Sequence, residues 1–346
     1  MKENYQSWQI NIDSFPSTGS LNEQLKFLIN FPILAPSGHN SQPWNFSVNG
    51  NEISIWKNEE RSLAQSDPTM RQLLIASGCA LENLIIAADY YGFESQISYF
   101  PEKDNSNLIA KILLKKLNVM EGKNRNDHLI FAIPKRHTNR NKYKDQQLPA
   151  DFLMEINRLS NEICTISVIS EKRIKDEIAD IVNNAQIEAM DDSGFREELS
   201  HYIKSNFTKE KVGMPGFTLG IPAPISLIAS RLIKKINLSR KSKKKDEDLL
   251  KKFTPAFIII NGTQDDRTTR IKTGQLFERI WLTAEKYGLN CAPLAAAVQS
   301  DVYAKKLQAI FKTNSKPLVF FRVGYSNKSV RHSPRLSLEE VLKNHN

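Results

Sequence analysis

Two arginines four residues apart, with a hydroxyl group between them, are the residues of this sequence best suited to hold an anion. Arg136, Thr138 and Arg140 lie in the basic run from Pro134 to Tyr143. Guanidinium groups at this spacing can form paired hydrogen bonds to a phosphate where a loop leads into a helix, and the first helix amides would add to the attraction. Basic runs are also common on solvated surfaces, so these residues alone leave both interpretations open.

A second segment, residues 35–46, reads Ala-Pro-Ser-Gly-His-Asn-Ser-Gln-Pro-Trp-Asn-Phe. Its Ser37 and Asn40 side chains supply hydrogen-bond donors and acceptors, and Gly38 would let the backbone approach a flat ligand. The segment follows an apolar helical pattern and runs into an alternating strand pattern. It is therefore either a ligand-contacting loop or a helix-to-strand connector with local turns.

The sequence offers no catalytic triad, carboxylate pair or phosphate-binding glycine run, and its six histidines are scattered. The three cysteines, Cys79, Cys164 and Cys291, are far apart and lack metal-ligand spacing. We expect them to be small buried side chains, and we predict no metal site and no catalytic side chain.

An internal repeat indicates how the chain is built. Residues 78–93 align without gaps with residues 274–289, and both windows place large apolar residues at helical spacing before a closing glycine. Matching glycines at both ends favour duplication over chance similarity of two buried helices. The identical pairs are Gly78/Gly274, Glu82/Glu278, Ala88/Ala284, Tyr91/Tyr287 and Gly92/Gly288.

Strand-like segments accompany both repeated helices, at residues 95–100, 108–116, 256–260 and 317–323. A long central helix with strands in each half predicts an α+β fold in which sheets pack on helices. We place the boundary near residues 123–127, a polar stretch without periodicity. The halves are then residues 1–126, which contribute the loop at 35–46, and residues 127–346, which hold the basic run.

These segments, in this order, resemble the nitroreductase family, and most closely its single-chain Acg-like branch. The resemblance covers most of the chain. It implies a nitroreductase-like fold made of two tandem degenerate copies, which form a pseudo-dimer with sheets flanked by helices. It also implies an FMN-dependent oxidoreductase that transfers hydride from NAD(P)H to an electron-poor acceptor such as a nitro compound or a quinone. The alternative is a protein that sequesters or stores FMN under a lid with little turnover.

The resemblance also implies which residues bind FMN. The residues expected to hold its phosphate are Arg136, Thr138, Arg140, Arg335 and Arg331. The residues expected across the pseudo-dimer interface are Ser37, Gly38 and Asn40. The loop expected over the flavin ring contains Pro293, Leu294, Ala295 and Ala296, and the amides of the two alanines are candidate donors to the reactive ring nitrogen. Because no arginine run precedes the helix of the first half, we expect one FMN per chain.

Residues 193–224 resemble the lid region of Acg-like proteins. Gly213, Gly216 and Gly220 would permit hinge motion, and a surface loop without a gating role is the alternative.

The composition, with 40% hydrophobic and 25% charged residues, is typical of a soluble globular protein. The sequence begins without a secretory signal, so we expect a cytoplasmic protein without an integral membrane segment.

Much of the net charge of +10 lies in residues 231–252. Aromatic residues do not interleave with these cations, so a solvated linker or lid edge is expected rather than a nucleic-acid site. Residues 225–233 could form an amphipathic surface helix beside it, which leaves weak membrane association open. We expect a monomeric pseudo-dimer, with a homodimer possible.

Overall fold

The computed structural model describes residues 3–102, 104–117, 129–237 and 239–343. The predicted boundary at residues 123–127 lies outside these ranges. The strands are β1 (Trp44–Asn49), β2 (Glu52–Lys57), β3 (Phe93–Tyr99), β4 (Leu108–Lys116), β5 (Cys164–Ile169), β6 (Ile203–Lys204), β7 (Met214–Pro215), β8 (Ala256–Gly262), β9 (Asn290–Pro293) and β10 (Lys316–Gly324). The helices are α1 (Leu21–Leu28), α2 (Arg71–Tyr90), α3 (Ala150–Asn157), α4 (Lys172–Asp191), α5 (Ser193–Tyr202), α6 (Ala223–Ser226), α7 (Ala229–Lys235), α8 (Ser239–Lys252), α9 (Arg267–Lys286), α10 (Ala296–Gln299), α11 (Asp301–Phe311) and α12 (Leu338–Val341).

The two larger sheets have the same topology. Both are antiparallel and four-stranded, in the orders β1-β2-β4-β3 and β5-β8-β10-β9. In each sheet the second strand is followed by the long helix of its half, α2 or α9, and then by the two remaining strands. The second half differs by the segment that carries α4 to α8 between β5 and β8, and by α10 and α11 between β9 and β10. The repeated order confirms the predicted α+β fold of two tandem copies.

The two repeated helices cross at their matching glycines. A Cβ atom added to Gly78 would lie 2.1 Å from the carbonyl oxygen of Ile271, and one added to Gly274 would lie 2.0 Å from that of Ile75. Ile75 and Ile271 occupy the same position of the repeat, so the contact is symmetric. Glycine is required at both positions because any side chain would push the helices apart. The two halves thus pack about an internal pseudo-two-fold axis, as predicted.

The core between the halves is built from the apolar faces of α2 and α9. Leu81, Leu84, Ile280 and Trp281 are almost completely buried there. Among the described residues, α2 is the one helix long and apolar enough to cross a membrane, but 83% of its most apolar window is buried inside the protein. This burial is what a core helix requires. The three cysteines are free and buried, as predicted.

The basic segment at residues 231–252 is not a linker. Most of it forms α7 and α8, and α8 packs on α4 through Leu250, which is 4% exposed. Ion pairs four residues apart, Glu247 with Lys251 at 2.6 Å and Asp248 with Lys252 at 2.8 Å, support the helix. The expected linker is therefore wrong, because a buried leucine and these pairs favour a helix. Its lysines 241 and 243–245 are nevertheless exposed.

Candidate functional site

A cavity of about 60 Å³ lies between the two halves and is lined by all five predicted phosphate-binding residues. It is lined by Trp8, Pro36, Ser37, Asn40, Arg136, His137, Thr138, Arg140, Met214, Thr218, Arg331, His332, Ser333 and Arg335. Seven predicted residues thus meet at one place, two from the first half and five from the second. Four of the lining side chains are arginines and none is a carboxylate. The cavity is suited to an anion.

The basic run enters the cavity as extended chain and not at the start of a helix. The next helix, α3, begins only at Ala150. Thr138 instead forms a β-bridge with Cys291, and the amide of Asn139 donates to the carbonyl oxygen of Cys291 at 3.0 Å. The expected contribution of helix amides to the phosphate site is therefore wrong. Pairing with the start of β9 is what holds this segment in place.

Arg136 is buried against the other half of the pseudo-dimer. Its guanidinium lies 4.6 Å from the centre of the Trp281 ring, and its Nη2 donates to the carbonyl oxygen of Leu34 at 2.7 Å. Its Nε lies 3.1 Å from Oε1 of Glu278, a carboxyl group with no solvent exposure. Burial raises the pKa of Glu278 to about 7, and the nearby Arg136 charge acts in the opposite direction. The buried carboxyl group of Glu278 therefore partly neutralises the charge of Arg136.

Arg335 is the buried cation of the cavity that lacks a carboxylate partner among the described residues. It is 5% exposed and lies 4.7 Å above the Trp8 ring. Its Nη1 donates to Oδ1 of Asn40, its Nη2 donates to the carbonyl oxygens of Leu34 and Ala35, and its Nε has no hydrogen-bond partner. Burial lowers the pKa of Arg335 well below its ordinary value, and the charge of Arg136 adds to this effect. An anion in the cavity would offset both the burial of the Arg335 charge and its repulsion by Arg136.

The other two arginines of the cavity contact the predicted lid. Arg331 lies 4.1 Å from the centre of the Phe217 ring, and Nη1 of Arg140 donates to the carbonyl oxygen of Thr218 at 3.2 Å. Both residues are nevertheless partly exposed to solvent. Two cationic side chains thus contact residues 217–218, of which Thr218 lines the cavity.

The loop at residues 35–46 is held in a strained conformation. His39, Asn40 and Gln42 have φ values of 51°, 57° and 51°, which side chains other than glycine rarely adopt. The Gln42 side chain donates to the carbonyl oxygen of Lys211 at 2.7 Å and accepts from the amide of Leu336 at 2.9 Å. These bonds fasten the loop to the predicted lid and to the C-terminal segment.

The predicted loop residues have different roles in this structure. The Asn40 side-chain amide donates to the carbonyl oxygens of Gly213 and Pro334 at 2.9 and 3.0 Å, so it joins three segments. Ser37 lines the cavity, and its hydroxyl accepts from the amide of Gln42 at 3.0 Å. Gly38 does not line the cavity; a Cβ atom there would lie 2.9 Å from Leu63.

The predicted ring loop does not line this cavity. Pro293 ends β9, and the amide of Leu294 donates to the carbonyl oxygen of Phe320 at 2.8 Å. Ala295 and Ala296 begin the short helix α10, whose first amides have no partner within the helix. The donors expected from these alanines stay a prediction, and the bridge between Thr138 and Cys291 connects their strand to the phosphate residues.

Several cavity residues were not predicted. Trp8 stacks on His332 with ring centres 4.0 Å apart, and its Nε1 donates to the carbonyl oxygen of Ser333 at 2.8 Å. Burial lowers the pKa of His332 to about 4. Glu278 does not line the cavity, but it contacts Arg136 from the interior, and the sequence marks it only as a repeat position. Its identity with Glu82 was the available signal, because a carboxyl group in the middle of an apolar helix requires a partner.

A second cleft, of about 550 Å³, lies beside the two long helices α2 and α9. It contains Glu82, the counterpart of Glu278, and Tyr99, which the same offset aligns with Ala295. Its cations are Lys272 and Arg279, and the Nε atom of Arg279 donates to Glu82 at 2.5 Å. This cleft therefore lacks a cluster of four arginines like that of the first cavity.

No protein-family model matches the chain. It is 25% identical over 334 residues to a protein of Mycobacterium tuberculosis named as an NAD(P)H nitroreductase, Rv3131, covering 93% of this chain and 91% of the relative. It is 22% identical over 339 residues to the protein of the same organism named as the NAD(P)H nitroreductase acg, covering 94% and 97%. Among solved structures it is similar to the FMN-dependent nitroreductase NfnB of Mycobacterium smegmatis, at 17% identity and a TM-score of 0.41, covering 62% of this chain and 96% of that one.

The similarity to the curated relatives runs over more than nine-tenths of the chain. It confirms the resemblance to the nitroreductase family and to its Acg-like branch that residues 35–46, 134–143, 193–224, 288–296 and 331–335 predicted.

Proposed function

We propose that the protein is an FMN-dependent oxidoreductase that transfers hydride from NAD(P)H to an electron-poor acceptor such as a nitro compound or a quinone. The observation that carries this proposal is the cavity between the halves, where four arginines meet without a carboxylate in its lining. The names of the full-length relatives, as NAD(P)H nitroreductases, support the same class of reaction.

The donor set fits the phosphate of FMN. Arg335 is buried, has no carboxylate partner among the described residues, and keeps one Nε–H without an acceptor. In our proposal Arg335, Arg331 and Arg140 hold the phosphate together with the Thr138 hydroxyl, and Arg136 contributes its charge from the interior. FMN, when bound, would accept hydride from one substrate and deliver it to another.

The chain's own part in this function is to bind, orient and enclose. FMN needs a site of about 300 Å³ or more, whereas the cavity measures about 60 Å³. Met214 and Thr218 supply one wall, and they lie in the predicted lid. We therefore propose that residues 211–219 move outward to admit FMN, which requires the Arg331–Phe217 and Arg140–Thr218 contacts to separate.

The alternative function, FMN storage, draws support from the same contacts. The lid segment is fastened by Gln42 to Lys211, by Asn40 to Gly213 and by the two exposed arginines to residues 217–218. A lid that stays closed over bound FMN would exclude NAD(P)H and give little turnover.

The decisive experiment combines ligand titration with reduction. Purified protein, stripped of any bound flavin, is titrated with FMN and with riboflavin. Two charge-assisted hydrogen bonds of ~1.5 kcal/mol each predict that FMN binds ~100-fold more tightly. Equal affinities would refute the phosphate site. The complex is then mixed with NADPH under anaerobic conditions. Bleaching of the flavin absorption, followed by recovery with menadione, supports the oxidoreductase, whereas absorption that NADPH leaves unchanged supports storage.

A further inference from the structure

The predicted lid and the helix that follows it carry an unusual share of the exposed apolar surface. Five of the twelve large apolar side chains exposed on the described part of the chain lie between residues 207 and 236. Phe207, Ile225, Leu227 and Ile228 are 60%, 49%, 63% and 48% exposed, and Ile236 is 42% exposed. Exposed apolar side chains that are grouped in this way mark surfaces that bind a protein partner or a membrane.

Four of these side chains lie in two segments that hydrogen bonds join. Asn206 connects the turn that contains Phe207 to α6. Its backbone amide donates to the Ser226 hydroxyl at 2.9 Å, and its side chain donates to the carbonyl oxygen of Ile221 at 3.1 Å. Phe207 is therefore next to the helix that carries Ile225. We call Phe207, Ile225, Leu227 and Ile228 the lid tip.

Helix α7 shows why this surface is not part of the core. Its Ala229 and Ile233 are buried and pack in the small core that also includes Ile203 and Met214. Ile228, Arg231 and Lys235 are spaced by three and four residues, so they share another face of the helix. All three are exposed. The inner face of α7 is already packed against this small core, whereas its outer face combines an apolar residue with two cations.

The cations beside the lid tip are available for a partner. Arg231 and Lys235 form no ion pair among the described residues, whereas Lys234, on another side of α7, pairs with Glu197 at 2.5 Å. Lys209, two residues beyond Phe207, is also exposed. A second copy of this chain would bring like charges together on such a surface, so an anionic partner is the better match.

We propose that the lid tip docks on the surface of an anionic lipid bilayer. Its four apolar side chains would enter the boundary between headgroups and acyl chains, while Arg231 and Lys235 bind anionic headgroups. The attachment is peripheral, since α7 has only seven residues. Because residues 214 and 218 of the adjoining lid line the cavity, docking would also hold the cavity wall at the membrane. The proposal does not depend on the redox function.

Vesicle sedimentation tests this proposal. The full chain is mixed with phosphatidylcholine vesicles, either pure or containing about one-third phosphatidylglycerol. We expect at least about fivefold more bound protein on the anionic vesicles, and a loss of most of this binding when the salt is raised from about 0.1 M to about 0.5 M. The double variant Leu227→Glu/Ile228→Glu should reduce binding about tenfold, and Arg231→Gln/Lys235→Gln should reduce it severalfold.

The matched control is Val302→Glu, which changes another exposed apolar residue, 58% exposed, on α11. It should bind as the wild type does, and circular dichroism verifies that each variant is folded. Three results would overturn the proposal: no binding to anionic vesicles, equal binding to neutral and anionic vesicles, or full binding by the Leu227→Glu/Ile228→Glu variant. A dimer that forms without lipid and dissociates in that variant would instead assign the lid tip to self-association.

Discussion

Glu278 should make the stability of this protein fall as the pH rises from about 5 to 8. Its carboxyl group has no solvent exposure, and burial raises its pKa from 4.5 to about 7. The folded state therefore keeps the proton at pH values where the unfolded chain has lost it. This contribution to stability is fully present below the unfolded pKa and disappears as the pH passes the folded value.

The magnitude follows from the size of the shift. Each pKa unit corresponds to about 1.4 kcal/mol, so the shift from 4.5 to about 7 corresponds to ~3 kcal/mol, of which 2 to 3 kcal/mol is lost between about pH 5 and pH 8. Glu278→Gln removes the titrating group and keeps the shape of the side chain. Urea unfolding of both proteins at several pH values, followed by tryptophan fluorescence, gives the difference in unfolding free energy. We expect this difference to change by ~2 to 3 kcal/mol in favour of the glutamine variant as the pH rises.

A second variant tests the role of the counter-ion. Arg136 opposes the rise in the pKa of Glu278, so Arg136→Met should destabilise the protein more at pH 8, where the carboxyl is charged, than at pH 5. In the double variant with Glu278→Gln this pH dependence should vanish. A wild-type protein that instead gains stability relative to Glu278→Gln as the pH rises would refute the reasoning, because the ion pair would then outweigh burial.

Three further predictions concern the axis, the phosphate site and the stoichiometry. Gly78→Ala should lower the free energy of unfolding by ~2 kcal/mol or more, because its Cβ atom would lie 2.1 Å from the carbonyl oxygen of Ile271; urea unfolding measures this. Arg331→Ala should weaken FMN binding ~10-fold but leave riboflavin binding unchanged, with the exposed Arg173→Ala as control, as measured by flavin fluorescence titration. Titration of the wild type should saturate at one FMN per chain; two equivalents would contradict the single site and make the cleft around Arg279 the candidate for the second.

The burial of two arginines changes how the phosphate site should be probed. From the sequence, Arg136 and Arg335 belong to no apolar periodic face, so alanine substitution would be expected to leave the fold intact. The structure favours a loss of stability instead, since the two side chains are 2% and 5% exposed and both donate to the carbonyl oxygen of Leu34. Arg331 and Arg140 are the better positions, because both residues are partly exposed to solvent.

Much of the fold was accessible from local patterns. The strand expected at residues 108–116 coincides with β4, and those expected at 95–100, 256–260 and 317–323 overlap β3, β8 and β10. Hydrophobic periodicity reports these elements because each strand or helix buries its own apolar face. The predicted linker at residues 231–252 was wrong because the apolar face of this segment is hard to recognise in the sequence. The many lysines of residues 239–252 mask the single buried leucine that holds α8 on α4.

The sequence by itself determined that the chain is duplicated and that its arginines are concentrated in the second half, since identical residues at equal spacing and clusters of charge are visible without coordinates. Only the tertiary structure decided that Gly78 and Gly274 touch, that Arg335 is buried without a carboxylate partner among the described residues, and that the lid segment is fastened to the loop at residues 35–46. These contacts join residues roughly 170 to 300 positions apart. Sequence patterns report what each segment buries, whereas the packing of the two halves determines which buried groups meet.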